Sequence, residues 1–297
     1  MHRICVVYNH AFPSSVEHVR QWNSQFGEVT IVTPPGGGGD LEYYTGPYLW
    51  QAAVVEFLRA APEVEGHTVV VGDDFVLTPG FDPARLLGDR LNEGALCHGV
   101  WPLSATIPHS WVWTNRVATT WTRPTAPLTG SGAEDCAAEL RGSELYRRGA
   151  EAIDQLGATT FTLAPAEGAE AGWWANMMRE RTGAEGRVTI GVPLRGGLSD
   201  LVSFPNSYST VVRDFLARTV RVNLFVEVAV PTMLAWSGLH LERLGDRLDY
   251  RWGNQRAEFD FGSVDEVTDY LEQRPDLVGI HPVKWSRMLA RNQGGSA

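Results

Sequence analysis

The sequence predicts an α/β fold, and three observations support it. An apolar run at 4–8, ICVVY, is followed by a helical pattern and then by a second strand pattern at 28–34. A third buried-strand pattern, HTVVV at 67–71, follows another helical stretch. Strands that alternate with helices are typical of parallel sheets, in which ligands gather at the carboxyl ends of the strands.

The composition is that of a globular protein. The 297 residues are 43% hydrophobic and 20% charged, which is enough apolar surface for a substantial core. Lys and Arg number 25 against 35 Asp and Glu, a formal net charge of −10. Nucleic-acid binding needs a basic footprint, so we expect no nucleic-acid partner. The 11 Trp are an excess that suits either a core or a sugar-binding surface.

Targeting segments and cross-links are not evident from the sequence. No apolar stretch approaches the roughly 18 residues of a membrane span, and no secretory h-region with a cleavage site is present. The three cysteines, Cys5, Cys97 and Cys136, lie far apart and lack CxxC spacing. This pattern argues against disulfides and zinc-thiolate sites. We therefore expect a cytoplasmic protein with reduced, buried thiols and no integral membrane segment.

The first hundred residues contain regular helix and strand patterns. Ser14 or Ser15 is the expected N-cap of the first helix, and Gly27 its end. The glycines at 36–39 indicate a mobile loop rather than a Walker loop or a dinucleotide turn, because neither GK[ST] nor an immediate helix follows them. Periodicity then predicts helices at 46–61 and 83–91 and strands at 67–71 and 95–101.

The remaining two thirds are less regular. The segment 101–135 is irregular and Trp-rich, and two short strands are expected around a turn at Arg195-Gly196-Gly197. A Gly-Asn turn predicts a hairpin over 246–261, and Ser263 with Glu266 forms a capping-box pattern. Helical patterns occupy 143–157, 170–181, 210–220 (started by Ser207 or Ser209) and 263–274.

Neither an internal repeat nor an interdomain linker is evident. The simplest organisation is one domain over 1–290, with an elaborated second half beginning at 101 and a flexible tail at 291–297.

Two adjacent carboxylates follow the buried strand at 67–71, in the sequence Gly72-Asp73-Asp74. Their mutual repulsion and reduced hydration at a strand end make two negative charges costly. A divalent cation removes that cost, because Mg²⁺ and Mn²⁺ take carboxylate oxygens and keep positions open for phosphates. The alternative is a capping or turn pair, since Asp is common in loops. The preceding strand and the following TPGF turn favour the metal site.

Four further residues are candidates for a chemical role. His281 stands three residues before Lys284, a spacing that suits an imidazole on a metal and an ammonium on a phosphate, although such a His is often only structural. Glu227 lies among aliphatic residues, so it needs either a function, such as a general base, or a partner such as an Arg or a helix N-terminus. Asp200 follows Gly-Gly-Leu-Ser and is a weaker candidate, since it also fits a simple turn.

These segments, taken in order, resemble a GT-A-fold glycosyltransferase that uses a nucleotide-diphosphate sugar. The resemblance spans about 4–286 and is carried by YLWQ at 48–51, then VVVGDDFVLTP, GGLSD, NLFVEVAVPT and GIHPVKWS. In that fold an acidic DxD motif after a central strand holds Mn²⁺ or Mg²⁺ on the donor diphosphate, and a carboxyl-terminal His often completes the metal site. Here Gly72 stands at the first acidic position of a strict DxD.

The resemblance implies a Rossmann-type mixed sheet flanked by helices, and it implies a role for each candidate. The half over 1–100 would bind the nucleotide sugar through Val7, Tyr8, Asn9, Thr33, Gln51 and Asp73. Lys284, in the C-terminal segment that closes the metal and diphosphate site, would contact the diphosphate. Asp73, Asp74 and His281 would hold the metal. Glu227 would be the base of an inverting displacement, with Asp200 facing donor sugar or acceptor; a retaining reaction would leave Glu227 only a binding role. The half over 101–290 would bind a small-molecule or glycan acceptor through Trp101, Trp111, Trp113 and Trp173.

Two other functions remain open at this point. A sugar nucleotidyltransferase would share the α/β sheet, although NHAFPSS after the first strand lacks the expected Gly-rich basic loop. A non-catalytic nucleotide- or carbohydrate-binding protein on a degenerate transferase scaffold would explain Gly72.

Overall fold

The computed structural model describes residues 2–9, 12–43, 49–61, 64–103, 131–162, 187–251, 259, 261–286 and 288–289. Several predicted features lie outside these ranges. They are the helix at 170–181, the tail at 291–297, Tyr48, and three of the proposed acceptor residues, Trp111, Trp113 and Trp173.

The described ranges contain eight α-helices and fourteen strands. The helices are α1 (Pro13–Asn23), α2 (Leu49–Ala60), α3 (Pro83–Leu87), α4 (Ser131–Arg141), α5 (Glu144–Gln155), α6 (Ser209–Arg221), α7 (Val226–Trp236) and α8 (Val264–Glu272). The strands are β1 (Arg3–Val7), β2 (Glu28–Thr33), β3 (Leu41–Glu42), β4 (His67–Gly72), β5 (Val76–Leu77), β6 (Gly94–Cys97), β7 (Trp101–Pro102), β8 (Thr159–Thr162), β9 (Arg187–Ile190), β10 (Arg195–Gly196), β11 (Leu201–Pro205), β12 (His240–Arg243), β13 (Leu248–Tyr250) and β14 (Gly279–His281).

A seven-stranded mixed sheet with the order β3-β2-β1-β4-β11-β6-β12 forms the centre of the molecule. Strand β1 pairs in parallel with β2 and β4, whereas β11 runs antiparallel to β4 and β6. The predicted α/β class with a mixed sheet is therefore confirmed. The strand order reverses direction between β1 and β4, which places a crevice at the carboxyl ends of these two strands.

The sheet is buried on both faces, and successive β1 residues alternate between them. Cys5 and Val7 pack in the core cluster that contains α2, α6 and α7, while Ile4 and Val6 pack in the cluster that contains α1 and α8. Because the side-chain period of a strand is two, this two-sided burial fixes the strand register. The polar residues that follow β1 and β4 are therefore held at one edge of the sheet.

A small second sheet, ordered β13-β14-β5, brings the end of the described chain back to this edge. β14 pairs antiparallel with β5 and parallel with β13. The predicted hairpin over 246–261 is wrong for its described residues, because β13 pairs with β14 and Phe259 bridges Val283. The backbone of β13 and of Phe259 pairs with residues that are distant in sequence. A local turn pattern cannot predict such long-range pairing.

Some predicted element ends also differ. Helix α1 begins at Pro13 after the N-cap Phe12 and ends at Asn23, so neither a serine cap nor Gly27 bounds it. Helix α3 ends before Gly88, whose φ of 54° breaks the predicted helix over 83–91. Ser263 does cap α8, but the Glu266 carboxylate accepts from Gly262 rather than completing the capping box.

Two predicted loops are more regular than expected. Arg195–Gly196 is strand β10, paired with β7, rather than the centre of a turn. The glycine loop at 36–39 is tied back to β2, since the Gly39 N–H donates to the Thr33 hydroxyl at 3.3 Å. The Asp40 N–H donates to the Ile31 carbonyl at 2.8 Å, which closes the loop on the same strand.

Two further properties follow from the described chain. Cys5, Cys97 and Cys136 are free and buried, as predicted, and burial raises the pKa of each thiol. In the described ranges, every helix is too short or too polar to cross a membrane.

Gly279 of β14 provides a test of how tightly this small sheet is packed. A Cβ atom there would collide with the Phe75 ring, so Gly279→Ala is expected to destabilise the protein by roughly 1–3 kcal/mol. Urea unfolding measures the loss. Gly245→Ala is the control, because a Cβ atom at Gly245 meets no atom within 4 Å. Equal stability of the two variants would contradict this packing.

Candidate functional site

Acidic residues from two strands meet at the crevice between β1 and β4. Strand β4 ends at Gly72, and the Asp73 N–H donates to the Val7 carbonyl at 3.0 Å, which links the turn to the end of β1. Because β11 runs antiparallel to β4, it starts where β4 ends, and the Asp200 carbonyl accepts from the Gly72 N–H at 3.1 Å. The topology thus places Asp200 beside Asp73 and Asp74.

Asp74, His281 and Asp200 form a cluster suited to a cation. His281 Nε2 lies 3.3 Å from Asp74 Oδ1 and 3.8 Å from Asp200 Oδ1. One potential ligand atom from each residue lies within 4.8 Å of the other two. Two carboxylates and one imidazole at these separations could hold a divalent cation.

Lys284 contacts the carboxylate oxygen of Asp74 that His281 does not, because its ammonium donates to Asp74 Oδ2. His281 is the last residue of β14, and Lys284 follows it by three residues. Between them, the Val283 N–H donates to the Asp74 carbonyl at 2.7 Å, which holds this segment against Asp74. The Asp74 and His281 side chains are only 18% and 12% exposed, while Lys284 is 36% exposed. The ammonium therefore lies at the rim of the cluster, accessible to a ligand.

The charges in the cluster shift one another's protonation. Burial alone would raise the pKa of Asp74, but the hydrogen bond from His281 and the charges of His281 and Lys284 outweigh it and lower the pKa. Burial would lower the pKa of His281, but the charge of Asp200 and the contact with Asp74 raise it overall. In the metal-free protein the arrangement thus favours an ionised Asp74 beside a protonated His281, and a bound cation would displace that proton.

Asp73 has a different environment from its neighbour. Burial, and then the negative charge of Asp74, raise the pKa of Asp73 to about 7, although its carboxylate accepts from the Asn9 N–H. The sequence pairs Asp73 with Asp74 as metal ligands, whereas the geometry brings Asp200 to Asp74 and His281. Adjacent residues after a strand point in different directions, so only one of the two faces His281.

Asp73 should make stability depend on pH in the metal-free protein. Its carboxyl titrates near pH 7 when folded and near pH 3.9 when unfolded, so its charge destabilises the fold above pH 7 and not below about pH 4. We expect Asp73→Asn to be more stable than the wild type at pH 8, on the order of 2–4 kcal/mol. Urea unfolding in EDTA across pH 4–8 measures this, and a variant less stable than wild type at pH 8 would contradict it.

Two aromatic residues of the site were not predicted from the sequence. Tyr250 donates from its hydroxyl to Asp200 Oδ2 and stacks on His281, with ring centroids 4.5 Å apart. His98, directly after β6, places its ring edge-on to Tyr250 at 4.8 Å. Burial lowers the pKa of His98 and outweighs the opposing effect of Asp200. Neither residue belongs to a recognisable motif, and only the sheet order brings them here.

Four of the residues predicted to contact the nucleotide sugar have buried side chains. Val7, Tyr8, Thr33 and Gln51 are all fully buried. The Gln51 amide donates to the Leu224 carbonyl at 2.7 Å, an interaction within the core. Asn9 is exposed and lines a cavity of about 100 Å³. The other residues of that cavity are Phe12, Ser15, Asp73, Asp74, Val283, Lys284, Trp285 and Ser286.

Glu227 and Trp101 each lie near one of the two aromatic residues of the site, Tyr250 and His98. Glu227 is half-buried in the first turn of α7, and its carbonyl accepts from the Gly197 N–H at 2.9 Å. Its charge also contributes to raising the pKa of Tyr250, after burial and Asp200. Trp101 is half-buried in β7, with its ring centroid 6.3 Å from that of His98. Glu227 therefore lies close enough to Tyr250 to act on it electrostatically.

Neither a protein-family model nor a curated protein matches this chain. The geometry of the site is therefore what supports a function.

Proposed function

We propose that the protein is a metal-dependent glycosyltransferase of the GT-A type, which moves a sugar from a nucleotide-diphosphate sugar to an acceptor hydroxyl. The observation that carries this proposal is the cluster of Asp74, Asp200 and His281 at the point where the strand order reverses. Ligands of open α/β sheets bind at this point. An acidic protein can take an anionic donor there because a cation offsets the local negative charge.

The metal-binding residues in this proposal are Asp74, Asp200 and His281, with Asp73 as a neighbouring carboxylate. Of the two cations expected, Mn²⁺ fits better than Mg²⁺, because an imidazole is a poor ligand for Mg²⁺. Such a cation, when bound, neutralises charge that develops on a departing diphosphate.

The donor diphosphate is proposed to lie beside Lys284, at the rim of the cluster. The ammonium is partly exposed and borders the same cavity as Asn9 and Asp73. Lys serves as a point charge for phosphate. The exposed Asn9 at the end of β1 offers an amide to the nucleoside side.

Glu227 is proposed to be the base. Its carboxylate accepts the proton of the acceptor hydroxyl, the acceptor oxygen forms the bond to the anomeric carbon, and the nucleoside diphosphate departs with the electrons of the broken bond. This single displacement inverts the configuration of the anomeric carbon. If the reaction is retaining, Glu227 has only a binding role.

A second candidate is a non-catalytic nucleotide- or carbohydrate-binding protein, and one observation favours it. Lys284 neutralises Asp74 from within the chain, so part of the charge that calls for a metal is already balanced. Incubation of the donor with the protein, followed by mass spectrometry for free sugar, separates the two functions. Turnover of the donor, by hydrolysis or by transfer, supports the enzyme.

Calorimetric titration with nucleoside diphosphates tests the proposal. We expect UDP, GDP or TDP to bind in the presence of Mn²⁺ and to bind far more weakly in EDTA. A thermal-shift screen over the corresponding sugar nucleotides then identifies the donor, because a ligand that binds the folded state raises its apparent stability. The proposal fails if none of these nucleotides shows metal-dependent binding.

A further inference from the structure

We propose that Tyr250 is a positioning residue that orients two of the three candidate metal ligands, Asp200 and His281. The inference rests on the proposed metal site and adds a residue that no motif indicates. It is carried by two separate contacts of one side chain, one through its hydroxyl and one through its ring.

The hydroxyl contact selects which oxygen of Asp200 is available. Tyr250 donates to Oδ2 of Asp200, and Oδ1 is the oxygen that lies 3.8 Å from His281 Nε2. A charge-assisted hydrogen bond of this kind is short and directional. Tyr250 therefore holds the Asp200 carboxylate by Oδ2, which leaves Oδ1 facing His281.

The ring contact fixes the plane of the imidazole. Tyr250 and His281 are direct partners in the pairing of β13 with β14, and their rings stack with an interplanar angle of 18°. Phe75 lies nearly parallel to His281 at 6.2 Å, and His98 packs edge-on to Tyr250 with an interplanar angle of 86°. These contacts limit rotation of both rings, so His281 Nε2 stays directed at the carboxylates.

Orientation of this kind has a measurable effect on metal binding. Partners that hold metal ligands in place commonly contribute 10- to 100-fold to metal affinity. A ligand set whose rotamers are already fixed loses less conformational freedom when a cation binds. Removing only the hydroxyl should weaken binding, and removing the ring as well should weaken it further.

The test compares Tyr250→Phe and Tyr250→Leu with a matched variant, Tyr270→Phe. Tyr270 also donates its hydroxyl to an aspartate, Asp249 Oδ2, but neither residue belongs to the metal cluster. Calorimetry with MnCl₂ alone measures the dissociation constant for each protein. We expect Y250F to bind Mn²⁺ roughly 10- to 100-fold more weakly, Y250L more weakly still, and Y270F like the wild type.

The outcomes separate this inference from the proposed function. If the wild type binds Mn²⁺ and Y250F binds it equally well, the role of Tyr250 is overturned and the metal site stands. If Y250F and Y270F lose affinity equally, the loss reflects general destabilisation and the role is again overturned. If the wild type binds no Mn²⁺, both the metal site and the role of Tyr250 fail.

A second measurement does not depend on a substitution at Tyr250. Addition of Mn²⁺ should perturb the near-ultraviolet tyrosine absorption of the wild type, because the Tyr250 hydroxyl donates a hydrogen bond to Asp200, a proposed metal ligand. The same difference band should persist in Y270F. A Mn²⁺-bound wild type without any tyrosine difference band would overturn the inference.

Discussion

Asp74→Asn is expected to lower the affinity for Mn²⁺ by roughly 100-fold or more and to remove turnover. The loss should exceed the 10- to 100-fold cost of removing a residue that only orients a ligand, because in the proposed site Asp74 supplies a ligand oxygen itself. It is also the carboxylate that both His281 and Lys284 contact. Calorimetry with MnCl₂ measures the affinity, and donor consumption measures turnover.

The same substitution should lower the stability of the metal-free protein at neutral pH. The pKa of Asp74 is lowered by His281 and Lys284 against the effect of burial, so the folded state favours the ionised carboxylate. The contribution of the ionised Asp74 to stability is complete above the pKa of an unfolded Asp, near 3.9. It disappears as the pH falls through the lower pKa that Asp74 has in the folded protein. Hydrogen bonds to charged groups contribute about 1.5–3 kcal/mol, which is the expected loss at pH 7.

Asp73→Asn is the matched control, since the two residues are adjacent and the substitutions are identical. At pH 8 the change at Asp73 should stabilise the metal-free protein and the change at Asp74 should destabilise it. Asp73 is not one of the three clustered ligands, so its substitution should affect Mn²⁺ affinity less. Equal losses of affinity would contradict the assignment of Asp74 and Asp200 as the ligand pair.

The contrast between these aspartates shows what the sequence predicts about the site and what it does not. An apolar strand followed by two Asp is a local pattern, and it correctly places both carboxylates at a sheet edge. Which of the two faces His281 depends on the turn after β4, closed by the Asp73 N–H on the Val7 carbonyl. The partner of Asp74 is Asp200, a residue that only the antiparallel insertion of β11 brings close.

The same limit applies to the fold. Strands β1 and β4 are fully buried and each contains an apolar run, so their sequence alone predicts them. Strands β13 and β14 are short and only partly apolar, and each exists because of its pairing with a distant partner. Tyr250 and His281 meet through that pairing, which explains why no local pattern marks Tyr250 as part of the site.

Glu227→Gln is expected to lower kcat by about 100- to 10,000-fold, the usual contribution of a general base. The substitution keeps the size of the side chain and removes its ability to accept the acceptor proton. Glu227 lies in α7 beside the Gly197 backbone, and it is not among the clustered metal ligands. Affinity for Mn²⁺ and for the nucleoside diphosphate should therefore remain within about threefold of the wild type, a difference of less than 1 kcal/mol.

Steady-state transfer assays and calorimetry, run on the same preparations, distinguish a base from a binding residue. Glu242→Gln is the matched control, because Glu242 is also half-buried but lies on β12, outside the cluster. A base requires a low kcat with unchanged binding in E227Q and normal values in E242Q. If E227Q instead raises KM for the acceptor and keeps kcat, Glu227 only binds the acceptor. That result favours the retaining reaction, in which the acceptor proton goes to another group and the anomeric configuration is kept.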